Sequence, residues 1–398
     1  MSAATQPMAP GAGTPAPADG SERARGDLLA VLEPIWQAIV PVILAIVASG
    51  ILLAVIGRNP FDFYDAILHN GLLTDFGVQQ SVTRMATLLL IAGGLIVAFR
   101  ANLWNLGGDG QWLLAAAFVA GLAPSVVASL GDGLGLAVMI VVGCVVGALW
   151  TVVPAFLKAE YGVNEIISTL MMNFIGIALA NILVKGPFLT DRPGVPRTDI
   201  LDLDDRLPLL GNTQIHIGIV LAVAVMLALH YTMTRTPLGL RLRVLGANPR
   251  AALHLGLRPK RLTYIAFGAS GALIGMSGAV SMLGDWGSFR ADFNPAYGFL
   301  MVPLVFLARL NALGTIAFVG LFSVIQIGGD TATRQADLPT DFILVLVGLL
   351  LFFMTITEYV RIRRAQRSAY VPRGLGAGVK TAVGSPAPGA GAAREGPA

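Results

Sequence analysis

Apolar residues in this chain come in long unbroken runs, not in the alternating or 3.6-residue stripes of half-buried elements. Runs are read over residues 38–57, 81–99, 111–130, 134–156, 165–184, 215–233, 262–283, 296–309, 313–328 and 341–358. Most are long enough to cross about 30 Å of hydrocarbon as a helix. Alternating ten-residue segments of the membrane-barrel type are not seen, so helices are how these runs satisfy their own backbones. The pattern predicts an all-α polytopic membrane protein of about ten transmembrane helices, some broken or short. An even count places both termini on one side.

The long polar break in the second half is 235–261, RTPLGLRLRVLGANPRAALHLGLRPKR. It carries Arg235, Arg241, Arg243, Arg250, Arg258, Lys260 and Arg261 and no acid. Its punctuation predicts two short helices. Pro237 fits the first turn of one, and Gly246 is placed to end it in a left-handed conformation. Asn248 suits the N-cap of the next, Pro249 its N1 position and Gly256 its C′ stop. A helix that short is marginal in water, so it needs a surface to pack against, either a membrane or a partner's groove.

Composition narrows the class. With 398 residues, 55% hydrophobic, 13% charged and a mean hydropathy of +0.73, the chain is too apolar for a soluble globule. Cys144, the single cysteine, lies inside an apolar run, and the histidines are scattered, which leaves neither a disulfide framework nor a metal site. Residues 1–26 read as a disordered tail with no signal-peptide pattern, and 366–398 as a second such tail. Between them, 27–365 is the membrane domain. With the N-terminus inside, 19 of the 27 Lys and Arg residues fall on cytoplasmic segments, the loop 235–261 among them. By the positive-inside rule both termini and that loop are cytoplasmic. Residues 185–214 are then the longest external loop, with four prolines and the cluster Asp199, Asp202, Asp204, Asp205. They suit either a solvated connector or a docking surface.

Two polar stretches interrupt the apolar pattern. In 100–112, RANLWNLGGDGQW, Gly107, Gly108 and Gly110 free the backbone, while Asn105, Asp109 and Gln111 offer side chains to satisfy it. Such backbone survives near a membrane only inside protein or along a wet cavity. The stretch is read as a hinge beside a translocation pathway in preference to a substrate ligand; a tight helix–helix turn is the plainer alternative, which accounts for the glycines but not for so many amides. In 164–173, NEIISTLMMN, Asn164 is placed to cap a helix, with Glu165 in its first turn. Ser168, Thr169 and Asn173 follow inside, for interhelical bonding or for lining a pathway. Gly271-x-x-x-Gly275 is read as helix packing, and Asp285 with Trp286 as an interfacial anchor.

Span interiors read as nearly free of ionisable residues, with Asp109, Glu165 and Arg309 at the ends, so no proton relay is visible. GLGAGVKT (374–381) lacks the glycine before Lys380 and the strand of a phosphate loop. No nucleophile–base pair suggests an enzyme. A membrane domain with no engine of its own and a cytoplasmic loop built for docking implies an engine in another chain.

Three segments carry a family resemblance. Arg250-Ala251-Ala252-x-x-x-Gly256 resembles the EAA-x-x-x-G loop of ABC importer permeases, with Arg250 in place of the glutamate. The wider Gly246-Ala247-Asn248-Pro249 lead-in resembles the form in the branched-chain amino acid, simple-sugar and nucleoside permease family. Asn105, Gly107, Asp109, Gly110 and Gln111 are similar to its N-x-G-x-E-G-Q signature, with aspartate for glutamate. Residues 164–173 are similar to a segment of its nucleoside and simple-sugar branch. The resemblance implies a prokaryotic inner-membrane permease that moves a small polar solute, a nucleoside or a simple sugar. It implies a coupling helix at Gly246, Asn248, Pro249, Arg250, Ala251, Ala252 and Gly256. Its implied partners are two ATP-binding subunits, a second identical or homologous permease, an extracytoplasmic substrate-binding protein and the lipid bilayer, but no nucleic acid. The chain itself would hold no cofactor or metal; ATP and Mg would sit on the partner. An ion-coupled secondary transporter is the alternative.

Overall fold

The computed structural model describes residues 40–339 and 342–369. The predicted tail 1–26 and nearly all of 366–398 lie outside the described residues. Contacts divide the chain into a unit Pro41–Met354 and a unit formed by Met1–Val40 with Thr355–Ala398. Of the latter the described part beyond Val40 is Thr355–Ala369, which is helical throughout.

Among the described residues the fold is all helix, with two isolated bridges and no strand. The order is α1 (Val40–Val55), α2 (Pro60–Leu68), a π turn His69–Leu73, α3 (Asp75–Arg100), α4 (Gly108–Leu130), α5 (Asp132–Trp150), α6 (Val152–Tyr161) and α7 (Glu165–Lys185). There follow α8 (Gly218–Arg235), α9 (Pro237–Ala247), α10 (Pro249–His254), α11 (Pro259–Ser281) with a π turn Met282–Trp286, α12 (Tyr297–Leu307), α13 (Ala312–Gln335) and α14 (Phe342–Ala369). Among the described residues, seven segments are long and apolar enough to cross a membrane: α3, α4, α5 with α6, α7, α8, α11 with its π turn, and α13. The other three predicted spans fall on shorter apolar helices, Val40–Val55, Tyr297–Leu307 and Val345–Thr357.

Two helices form the centre. The most apolar window of α3 is 83% buried and that of α11 67%, against 28% for α5–α6, α7 and α8. Leu88 through Ala92 of α3 have no exposed surface, as expected of a helix that is hydrophobic on every face. α5 lies against α11 backbone to backbone, which explains the glycines at 271 and 275. Gly271 meets Gly147, Gly275 meets Gly143, and a methyl group on Gly143 would stand 2.7 Å from the Gly275 carbonyl oxygen. The packing reading of this motif is what the structure contains.

Between α7 and α8, residues 186–217 are laid down against the connector from α11 to α12. Amides of Thr198, Leu201 and Leu207 donate to the carbonyls of Phe289, Gly287 and Leu283, and Leu201 and Leu207 are buried. Arg206 donates to the carbonyls of Leu201 and Asp285; burial lowers its pKa, and Asp285 and Asp202 oppose that shift. Asp202 and Asp204 stay exposed. The loop is therefore anchored by its leucines and threonine while its acids face out.

The glycine contact yields a stability prediction. Gly275→Val overpacks the α5–α11 seam and lowers stability by about 1–3 kcal/mol, read as an earlier unfolding midpoint in detergent. Gly268→Ala on the same helix, where an added Cβ meets nothing within 4 Å, does not lower the midpoint and raises it slightly through better helix propensity.

Candidate functional site

The stretch after α3 turns back into the protein. A turn at Ala101–Asn102 and an irregular segment 103–107 lead to α4, whose first residues lie level with the middle of α11. Asn105 bonds Ser270 of α11, Gly108 packs near Ile274, and the Trp112 carbonyl lies against Gly278. α4 thus begins deep inside, and Gly107 at its N-cap supplies no capping side chain. The backbone there needs partners from elsewhere.

Those partners are the residues singled out in sequence. Asn105 Nδ2 donates to Gln111 Oε1 (3.1 Å) and Ser270 Oγ (2.9 Å), while Gln111 Nε2 donates to Asn105 Oδ1 (2.8 Å). The Gly107 amide also reaches Asn105 Oδ1. From α7, Asn173 Oδ1 accepts the Gly110 amide at 2.6 Å and Thr169 Oγ1 accepts the Leu106 amide at 3.2 Å. Ser168 and Thr169 turn their hydroxyls to the Glu165 carbonyl. Glu165 pairs with Lys158 at 2.7 Å, and Asn164 caps α7 through the Ile166 amide. Gly110 is required sterically: a methyl group there would sit 2.7 Å from the Asn173 carbonyl oxygen, and Gly176, on the same face of α7, lies against the Gly110 backbone as well. Asn105, Gly107, Gly110, Gln111, Thr169 and Asn173 thus form one brace between α4, α7 and α11, while Ser168 bonds only its own helix.

Asp109 does something different. Its Oδ1 accepts the Gly298 amide of α12 at 2.6 Å, so a carboxylate in the first turn of α4 caps the first turn of α12. α12 has no capping side chain of its own, and it starts from Ala296 in a left-handed conformation (φ 56°) held by Asn294. Two positive helix ends meet here, and a shared carboxylate is the natural counter-charge.

The interiors are not as free of ionisable residues as the sequence reading held. Arg84 sits within α3 and Asp330 within α13. Arg84 lies 3.8 Å from Asp285 and over the rings of Trp286 (5.6 Å) and Tyr297 (5.4 Å), and Asp330 acts on it electrostatically. Counter-charges and aromatic faces make the guanidinium tolerable. Asp285 and Trp286 are accordingly partners of Arg84. The signal was in the sequence, a lone arginine inside the run 81–99.

The loop 235–261 folds as two helices. Pro237 takes the first turn of α9 and Thr236 caps it. Gly246 does not end that helix: α9 runs to Ala247, and Gly246 is needed because a methyl group there would stand 2.7 Å from the Arg100 carbonyl oxygen. Close approach to α3, not a left-handed turn, selects the glycine. Asn248 Oδ1 accepts the amides of Arg250 (2.9 Å) and Ala251 (3.2 Å), with Pro249 at N1. After α10, Gly256 is left-handed (φ 73°); Gly256 and Leu257 donate to the Leu253 and Ala252 carbonyls in a complete Schellman closure. Ala252 is fully buried within the chain, whereas Arg250, Leu253 and Leu255 are exposed. A partner would meet the two leucines and the arginine, which the motif reading left out apart from Arg250.

Comparison with known proteins bears on this arrangement. The profile of the family described as branched-chain amino acid transport system / permease component matches residues 77–355. A glucose ABC transporter permease protein of Haloferax volcanii is 29% identical over 82% of this chain and 90% of its own length. A nucleoside ABC transporter permease protein of Lactococcus lactis is 23% identical over 81% and 91%, and a guanosine ABC transporter permease protein of Bacillus subtilis 24% over 81% and 93%.

The brace predicts the cost of breaking it. Asn173→Leu strands the buried Gly110 amide and costs about 1–3 kcal/mol of stability. A denaturation series in detergent checks this. If uptake per folded molecule falls as well, Asn173 also serves the pathway; if it holds, the residue is a brace alone.

Proposed function

The chain belongs to the family of branched-chain amino acid transport system permease components, and from that footing we propose that it is the membrane subunit of an ATP-driven importer. Its cargo is a small polar solute, a nucleoside or simple sugar, as the names of its relatives suggest. The observation that carries the coupling is α10: a six-residue helix capped at both ends, seated by buried Ala252 and offering Leu253 and Leu255 outward. Two exposed leucines on so short a helix need an apolar groove, and the ATP-binding subunit is the partner that supplies one. The basic residues around it favour an acidic rim on that partner.

The assembly has two such permeases, identical or homologous, two ATP-binding subunits that hold ATP and Mg, and an extracytoplasmic binding protein that selects the solute. It lies in the inner membrane of a prokaryote. The three shorter apolar helices complete ten spans, both termini and α9–α10 face the cytoplasm, and residues 185–214 face out. Single cysteines in a Cys144→Ser background test this: a cysteine at position 200 is labelled from outside in intact cells, and labelling only after permeabilisation would refute it.

The competing reading is an ion-coupled carrier, for which Arg84, Asp285 and Asp330 inside the apolar segments speak. Vanadate abolishes uptake under the importer reading, and an uncoupler abolishes it under the other. Within the importer, the double change Leu253→Glu and Leu255→Glu weakens retention of the ATP-binding subunit by about tenfold or more, as loss of a hot-spot contact does. Co-purification reads this directly, and full retention with stimulated ATPase would end the coupling role of α10. Ala252→Trp, which enters the chain's own core, instead unseats α10.

A further inference from the structure

Three buried polar side chains around the facing ends of α4 and α12 make no hydrogen bond from one of their atoms. They are Asp109 Oδ2, Trp112 Nε1 and Tyr297 Oη, on residues that are 3%, 1% and 1% exposed. They belong together: Tyr297 precedes the Gly298 amide held by Asp109, and the Trp112 and Tyr297 rings meet edge-on with centroids 5.5 Å apart. Arg84, whose guanidinium lies 5.4 Å from the centre of the Tyr297 ring, has an unpartnered Nε as well. A single such atom is commonplace, but buried polar groups are almost always satisfied, and a cluster of four marks a place where something else completes the bonding. The neighbouring amides of the brace, by contrast, are paired within the chain.

We propose that this cluster is a solute-recognition site inside the subunit, taking vicinal hydroxyls of a neutral sugar or ribosyl ring. The proposal rests on the importer reading above. The chemistry is one carboxylate acceptor beside indole, phenol and guanidinium donors. A diol supplies both halves, since one hydroxyl donates to Asp109 Oδ2 while its neighbour accepts from Trp112 or Tyr297. Aromatic surface from the same two residues covers the apolar face of the ring. Charge argues against an anion: Arg84 already faces Asp285 and Asp330, and Asp109 adds a further acid. A carboxylate or phosphate would find no uncompensated cation. Gly108 and Gly298 touch backbone to backbone, so the ring reaches these atoms when α12 draws away from α4. α12 is eleven residues long, with the left-handed residues Ala296 and Arg309 flanking it.

The complete transporter, reconstituted in proteoliposomes, tests this with D-glucose and guanosine as probes alongside their singly deoxygenated analogues. Tyr297→Phe keeps the ring and removes only the hydroxyl, and Trp112→Phe removes the indole donor. For the probe that the parent imports, each variant lowers ATP-driven uptake by roughly two- to tenfold, the worth of one neutral hydrogen bond. Uptake of one deoxygenated analogue is unchanged, so the parent's preference for the full hydroxyl set collapses at that position. Binding of the ATP-binding subunit stays at the parental level. Uniform loss across every analogue, or no loss in either variant while the parent transports normally, would overturn the site and leave a structural network. A parent complex that imports neither probe under ATP would overturn the sugar-or-nucleoside reading itself, and the site with it.

Discussion

Hydrocarbon offers no hydrogen bonds, and this chain nevertheless starts two helices in its interior. Every amide freed by those starts has to find a partner within the protein. The arrangement of α4, α7, α11 and α12 follows from that requirement. Asn105 and Gln111 bond each other and the segment before α4, Asn173 and Thr169 reach across from α7, and Asp109 serves the start of α12. The glycines at 107, 108 and 110 are there because the partners must come this close. Apolar packing around α3 supplies the bulk of the core, but it is the polar brace that sets which helix faces which.

The brace also separates two kinds of polar residue that look alike in a sequence. Asparagine, glutamine and threonine side chains are closed upon one another, and their role is to let backbone break without penalty. The aromatic and charged side chains nearby have atoms to spare. A carrier needs both: rigid support for irregular backbone, and polar atoms that a passing solute can use.

Much of this could be read in the sequence, and the limits have physical causes. The spans, the capping by Asn164 and Asn248, the Gly256 stop and the close helix contact at Gly271 and Gly275 depend on local chemistry, so local patterns find them. Gly246 misled because a glycine near a helix end serves turns and tight contacts equally, and only the approach of Arg100 tells which. Ala252 belongs to the coupling motif, and its small side chain suits burial against the chain's own helices as well as it suits an approaching partner, so the motif alone does not say which way it faces. Arg84 went unremarked inside an apolar run, since its counter-charges lie some two hundred residues along the chain or more, in Asp285 and Asp330. Asp109 was legible as polar, but its partner Gly298 is equally remote. The glutamate-to-aspartate and glutamate-to-arginine departures from the family's motifs did not hide its membership.

The glycine seam between α5 and α11 has a mechanical meaning. Helices that touch through backbone cannot slide a turn past each other or rotate without clashing, so the pair moves as one stiff rod. That rod begins at Pro259, directly after the Gly256 turn that closes α10, and ends at the π turn carrying Asp285 and Trp286 beside Arg84. A displacement of α10 would therefore find little slack along α11. It would reach the charges and rings around Tyr297 some two dozen residues away, through one continuous helix and its π turn.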